Sequence, residues 1–261
     1  MKKRFLKYLL FLPFIILLII VLIVINTKRV DHGTIEESDD IYNYDLIHRK
    51  DYLSYEDQNY TSIAGIDVSE HNHIIDFKAV KLSGIDFVYM RAAWRGYSEG
   101  YLHTDSYFNI NYTNAKENDL LVGVYLFSQA INEEEAIEEA KYLLNILHGR
   151  QLDLPIVYDF ENIDHDEARS DEITKEQCTK NAIAFFKTIK EEYDDVALYA
   201  NGVLLNDYYD MELIKEYKLW YAQYYDKPDC KYPFFIWQYS DSGEVQGIEK
   251  EVDLNIIFIE K

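Results

Sequence analysis

Leu154-Pro155-Ile156-Val157-Tyr158-Asp159-Phe160-Glu161-Asn162 is the stretch whose reading decides the fold. Apolar and aromatic side chains run without polar alternation into two acids. Such a run marks a strand buried on both faces, as in a parallel sheet, with carboxylates at its C-terminal end. Successive side chains along a strand face opposite ways, so Asp159 and Glu161 share one face and Phe160 takes the other. Their Cα atoms lie roughly 6–7 Å apart, at a rise of about 3.3 Å per residue. Two carboxyls that close share one site, and their repulsion tends to keep one proton between them at neutral pH. An Asp-x-Glu alone is more often a solvated strand end, so the rest of the chain must decide.

Outward from this strand, short apolar runs alternate with helical periods. Strands are expected at Ile63–Val68, Ile85–Arg91, Leu121–Phe127, Leu154–Phe160, Asp195–Ala200, Lys218–Ala222, Phe234–Tyr239 and Leu254–Ile259. Helices are expected at Phe77–Leu82, Ser106–Glu117, Glu133–Leu147 and Glu172–Tyr193. The alternation predicts an α/β fold, a modified (β/α) barrel that is mainly parallel. The later strands have little helix between them, so its second half should be irregular. In such a barrel the C-terminal strand ends converge on one mouth. That places Asp67, Tyr125, Asp159, Glu161, Tyr199, Tyr221, Trp237, Gln238, Tyr239 and Asp253 around one opening. Acids that only cap helices and aromatics that only pack are the alternative, and the joint placement disfavours it.

Further out lies an acidic tether over residues 31–60, and before it a basic, apolar start. Tyr8 to Ile25 is almost wholly apolar; at 1.5 Å per residue those eighteen residues span about 27 Å, close to a bilayer's hydrocarbon thickness. Four positive residues precede it and two follow, which favours a cytoplasmic amino terminus. Residues 1–30 therefore read as a transmembrane helix with flanking charges, making a single-pass membrane protein with its catalytic domain, residues 61–261, outside. A secreted protein after signal cleavage is the alternative, although no Ala-x-Ala-like site follows the span. The net charge of −21 excludes nucleic acid as a partner, because phosphates need a basic footprint. The chain has 24 tyrosines, 13 phenylalanines and 3 tryptophans, material both for a core and for stacking on sugar rings.

A paired carboxylic acid and carboxylate suit acid-assisted cleavage of a glycosidic bond: one protonates the leaving oxygen, the other sits beside the forming oxocarbenium ion. The chain resembles glycoside hydrolase family 25, the Chalaropsis-type muramidases. The resemblance rests on Gly65-Ile66-Asp67-Val68-Ser69, Phe87-Val88-Tyr89-Met90-Arg91-Ala92, Gly123-Val124-Tyr125 and Val157-Tyr158-Asp159-Phe160-Glu161. It continues through Leu198-Tyr199, Leu219-Trp220-Tyr221-Ala222-Gln223-Tyr224, Trp237-Gln238-Tyr239 and Val252-Asp253-Leu254-Asn255. It implies cleavage of the β-1,4 bond between N-acetylmuramic acid and N-acetylglucosamine, with peptidoglycan glycan strands as partner and no cofactor or metal. By position, Glu161 resembles the general acid and Asp159 its ionised partner, with Asp67 and Asp253 tuning the pair and holding sugar. Tyr125, Tyr199, Trp237, Tyr239, Gln238 and Arg91 resemble substrate-binding residues. Two departures stand out: Asn72-His73 where a Gln-Gly or Asn-Gly is common, and Leu126 where a His is common, near the acids.

An inactive glycan-binding module would need the aromatic groove but not both acids. A chitin-type N-acetylglucosaminidase of the family 18 pattern would carry an acid two positions before Asp159, where this chain has Val157. His71 and His73, without a third ligand in view, read as loop residues rather than a metal site. Cys178 and Cys230 could pair outside the cytoplasm, but one pair of cysteines does not establish a bridge.

Overall fold

The computed structural model describes residues 41–163 and 165–261. The apolar span at Tyr8–Ile25 lies outside them, and among the described residues no helix is long and apolar enough to cross a membrane. Tyr42–Lys261 form one compact unit, whose first elements fall inside the stretch read as a tether. There β1 (Ile47–Arg49) and β2 (Leu53–Tyr55) make a small antiparallel hairpin. Tyr42, Leu53 and Tyr55 are buried. The Tyr42 ring stacks on Phe258 at 3.8 Å between centroids, and its hydroxyl donates to the Phe234 carbonyl at 2.9 Å. Residues 42–60 thus belong to the folded body despite their acidity, because their apolar and aromatic side chains cover sheet surface.

The barrel follows as β3 (Tyr60–Val68), α1 (Phe77–Leu82), β4 (Phe87–Arg95), β5 (Leu102–Thr104), α2 (Phe108–Glu117), β6 (Leu121–Ser128), α3 (Glu133–Leu147) and β7 (Ile156–Phe160). Then come α4 (Lys175–Ile189), β8 (Val196–Asn201), α5 (Met211–Ile214), β9 (Lys218–Ala222), β10 (Ile236–Gly243) and β11 (Val252–Glu260). Eight strands close a ring in the order β3-β4-β6-β7-β8-β9-β10-β11, with β11 returning to β3; β5 pairs outside the ring with the end of β4. From β3 to β10 every ring pairing is parallel, whereas β11 is antiparallel to both neighbours. The expected irregular second half is present, since α5 is a single turn and no helix separates β9, β10 and β11. The outward faces of β10 and β11 are covered instead by residues 42–55.

Burial sorts the side chains into two cores. Outside the ring, Tyr158, Phe160, Phe185 and Phe186 pack between sheet and helices. Inside it, Phe87, Tyr89, Val157, Ala197, Trp220, Ile236 and Ile257 fill the space beneath the mouth. Gly65 and Gly123 flank these aromatics for a steric reason. A Cβ on Gly65 would stand 2.3 Å from the Phe87 ring, and one on Gly123 2.3 Å from the Tyr89 ring. The interior is therefore a packed floor, and the polar residues lie in one layer above it.

Candidate active site

Asp67 lies near the end of β3, directly opposite Asp253 of β11. Asp253 opens its strand rather than ending it; it reaches the mouth because β11 runs antiparallel. Asp159 sits on β7 opposite Tyr199 of β8, and Glu161 is the first residue but one after it, just past the strand's end at Phe160. The alternation expected from the sequence holds, for Phe160 is buried in the outer core. The four acids line one cleft of about 270 Å³, together with Arg91, Tyr125, Tyr199, Trp220, Tyr224 and Gln238. Glu161, Tyr199 and Tyr224 also line a wider arm of about 840 Å³, which extends past Asn201, Asn206, Tyr225 and Tyr232. Glu161 thus stands where the two arms of one groove meet.

A hydrogen-bonded chain holds Asp67. Tyr199 and Tyr224 donate their hydroxyls to Gln238 Oε1 at 2.9 and 2.8 Å. That leaves Gln238 Nε2 to donate to Asp67 Oδ2 at 2.8 Å. Trp220 Nε1 donates to Asn255 Oδ1 at 2.8 Å, and Asn255 Nδ2 in turn donates to Asp67 Oδ2 at 2.7 Å. Burial keeps both tyrosines protonated, so each has a proton to give Gln238 Oε1, which can only accept, and the chain has one direction.

Burial also pushes Asp67 up, offset in part by hydrogen bonds from Asn255, Gln238 and Asp253. Asp253 goes further, to about 9, through burial and then the charge of Asp67. The two acids share one proton at neutral pH, Asp253 carrying it and Asp67 accepting.

Asp159 differs from the expectation. It is 5% exposed, and its Oδ1 has no hydrogen-bond partner among the described residues. Burial first, then Glu161, Asp67 and Asp253, push it well above the carboxylate range, against a smaller pull from Arg91. Arg91 gives little relief because its guanidinium also pairs with Asp105 at 3.0 Å and Glu70 at 3.1 Å. An ionised Asp159 at rest is therefore not what the site favours. Burial and the neighbouring acids favour the protonated form of Asp159 in the free protein.

Two aromatics expected in the groove are elsewhere. Trp237 is fully buried in the outer core, and its Nε1 donates to the Gln223 carbonyl at 2.8 Å. Tyr239, two residues on and so on the same face, accepts from the Leu53 amide at 3.3 Å. Gln238 between them points inward, and one strand cannot turn all three side chains into the mouth. Leu126 is likewise in the outer core rather than beside the acids. Asn72 caps a 3₁₀ turn by accepting from the Ser69 amide at 2.9 Å, and His71 lines the cleft. Trp220, Tyr224 and Asn255 are site residues that the sequence reading quoted but did not assign; alternation from Gln238 and Asp253 would have found Asn255. Cys178 is buried and Cys230 half-buried, and both are free thiols.

The profile of the glycosyl hydrolases family 25 matches residues 66–248. An autolytic lysozyme of Clostridium acetobutylicum is 31% identical over 197 residues, covering 73% of this chain and 54% of that protein. The modular autolysin LytC of Streptococcus pneumoniae, solved with a synthetic peptidoglycan ligand, superposes with a TM-score of 0.68 at 25% identity, covering 81% of this chain and 51% of the other. A family 25 glycosyl hydrolase from Bacillus anthracis superposes with a TM-score of 0.64 at 25% identity, over 75% of this chain and 88% of that one. The chain therefore spans about half the length of both the clostridial lysozyme and the pneumococcal autolysin.

Proposed function

Because the chain belongs to glycosyl hydrolases family 25, we propose that it is a peptidoglycan hydrolase, an N-acetylmuramidase cleaving the β-1,4 bond between N-acetylmuramic acid and N-acetylglucosamine. The observation that carries this reading is the gathering of Asp67, Asp159, Glu161 and Asp253 in one cleft above a packed floor. Glu161 is the proton donor, being the acid at the junction of the two groove arms, where a glycosidic oxygen can reach it. Asp159 stores the proton the pair holds at rest. As that proton passes through Glu161 to the leaving oxygen, Asp159 is left as an anion beside the developing positive charge, or accepts a hydrogen bond from the sugar's acetamido group. Asp67 and Asp253 share their own proton and keep the local field negative without a fourth full charge. Tyr125, Tyr199 and Tyr224 present ring surface to the cleft for sugar contacts.

The test is the reducing end released from purified peptidoglycan by the full chain. After borohydride reduction, muramicitol supports a muramidase and glucosaminitol an N-acetylglucosaminidase. Glycan binding without any new reducing end would support a binding module and overturn the enzyme reading. We also infer that Tyr8–Ile25 anchors the chain with its amino terminus cytoplasmic and the barrel outside, on the strength of its apolar length and flanking charges. Protease added to intact spheroplasts should then remove the barrel; a barrel that survives would reverse the orientation.

A further inference from the structure

Glu161 stands beyond the ladder that orders the rest of β7. The last pairings of that strand are Ser128 with Phe160 on one side and Asp159 with Tyr199 on the other. Its backbone carbonyl is held instead by a side chain. Gln129, one residue past β6 and fully buried, donates Nε2 to the Glu161 carbonyl at 2.7 Å. A carbonyl oxygen can only accept, so the amide must present its nitrogen there. Its Oε1 then accepts from the buried Ser170 hydroxyl at 2.5 Å. Ser170 belongs to the excursion that follows Glu161, so one amide ties the acid's peptide to the far end of its own loop.

The surroundings hold that amide still. Arg169 donates to the Gln129 carbonyl at 3.3 Å and makes a two-pronged pair with Glu135 of α3, each bond 2.6 Å. The next residue, Ala130, accepts at its carbonyl from the buried Asn181 of α4 at 2.7 Å. The connection from β6 to α3 is thereby fixed to two other elements before it meets Glu161. We infer that Gln129 is a positioning residue for Glu161: by fixing the acid's peptide plane it sets where the carboxyl stands relative to Asp159 and the groove. Displacements of about 1 Å at a reacting group can cost roughly a hundredfold in rate.

This inference rests on Glu161 as the acid, so its test carries a readout that needs no turnover. In the full chain, Gln129→Met keeps length and loses both hydrogen bonds. Gln129→Glu keeps a group that, when protonated, can still donate to the carbonyl. Ser170→Ala removes only the hydroxyl that orients the amide. On soluble glycan strands, Gln129→Met should lower kcat about 10- to 100-fold with KM within about twofold. Gln129→Glu should recover part of that loss, increasingly so at lower pH, and Ser170→Ala should show the same signature in weaker form. In parallel, carboxyl ¹³C titration, with the Glu161 signal assigned by its loss in Glu161→Gln, should show its midpoint move by about half a pH unit or more in Gln129→Met. Folded Gln129→Met with unchanged kcat, pH profile and Glu161 midpoint would overturn the inference. Should that variant not fold, an unmoved midpoint in Ser170→Ala would do so. A wild type without activity would remove the muramidase reading instead, and the titration would still decide the positioning.

Discussion

Only Phe160 separates Asp159 from Glu161 in the chain, yet their surroundings divide them. Asp159 is closed off above the aromatic floor, whereas Glu161 is partly exposed at the meeting of the two groove arms. Glu161→Gln keeps the shape and removes the proton, so turnover should fall by roughly two to four orders of magnitude while glycan binding persists. Asp159→Asn should slow turnover and move the basic limb of the rate–pH profile to lower pH, because the carboxyl that keeps the proton at rest, and repels Glu161 once ionised, is gone. Initial rates against pH for the three proteins check both statements; an unmoved basic limb would show the acids uncoupled. Asp253 gives a stability test. Its carboxyl titrates at about 9 in the fold, so over the window from the unfolded carboxylate range up to 9 the native state holds a proton that the unfolded chain has released. Its contribution is complete at acid pH and is lost as pH rises toward 9. Asp253→Asn should flatten the fall of Tm with pH across that window, removing a slope of up to about 1.4 kcal/mol per pH unit. Curves that stay parallel would place the proton elsewhere.

At the scale of elements, most of the architecture was legible. The apolar run into Asp159 and Glu161 fixes β7, and the strand–helix spacing gives all eight ring strands within a few residues of where they form. The three short strands β1, β2 and β5 were not legible, since three residues carry too little period to register. The facing of side chains was legible where alternation was applied and misread where it was not: Trp237 and Tyr239 face the outer core as Phe160 does, whereas Gln238 faces the cleft. Trp237→Ala should accordingly cost about 3–5 kcal/mol of stability through a core cavity. If glycan affinity of the folded variant falls as well, the ring has a second role. Gly123→Ala should also destabilise, because the added Cβ meets the Tyr89 ring in a floor with no slack. Denaturant midpoints measure both. Which acid keeps the proton was not legible at all, because that depends on burial set by distant strands.

For the whole molecule, the wrap of residues 42–60 sets the boundary of the folding unit. A chain beginning at residue 61 would expose Phe234 and Phe258, the partners of Tyr42 and Tyr55. Losing the burial of Tyr42, Leu53 and Tyr55 should lower Tm by about 10 °C or more relative to a chain beginning at residue 42. Equal melting points would show the wrap to be ornamental. The antiparallel return of β11 has a consequence in time. The ring shuts only when β11 pairs with β3, and that pairing sets Asp253 opposite Asp67. The contacts join the two ends of the folded body, so they are made against the closure entropy of nearly the whole chain between them. A chain emerging amino end first would already hold Asp159 and Glu161 on β7, but not the paired acids beside them. Such a half-delivered barrel would hold one pair of acids and lack Asp253 of the other until the last strand arrives.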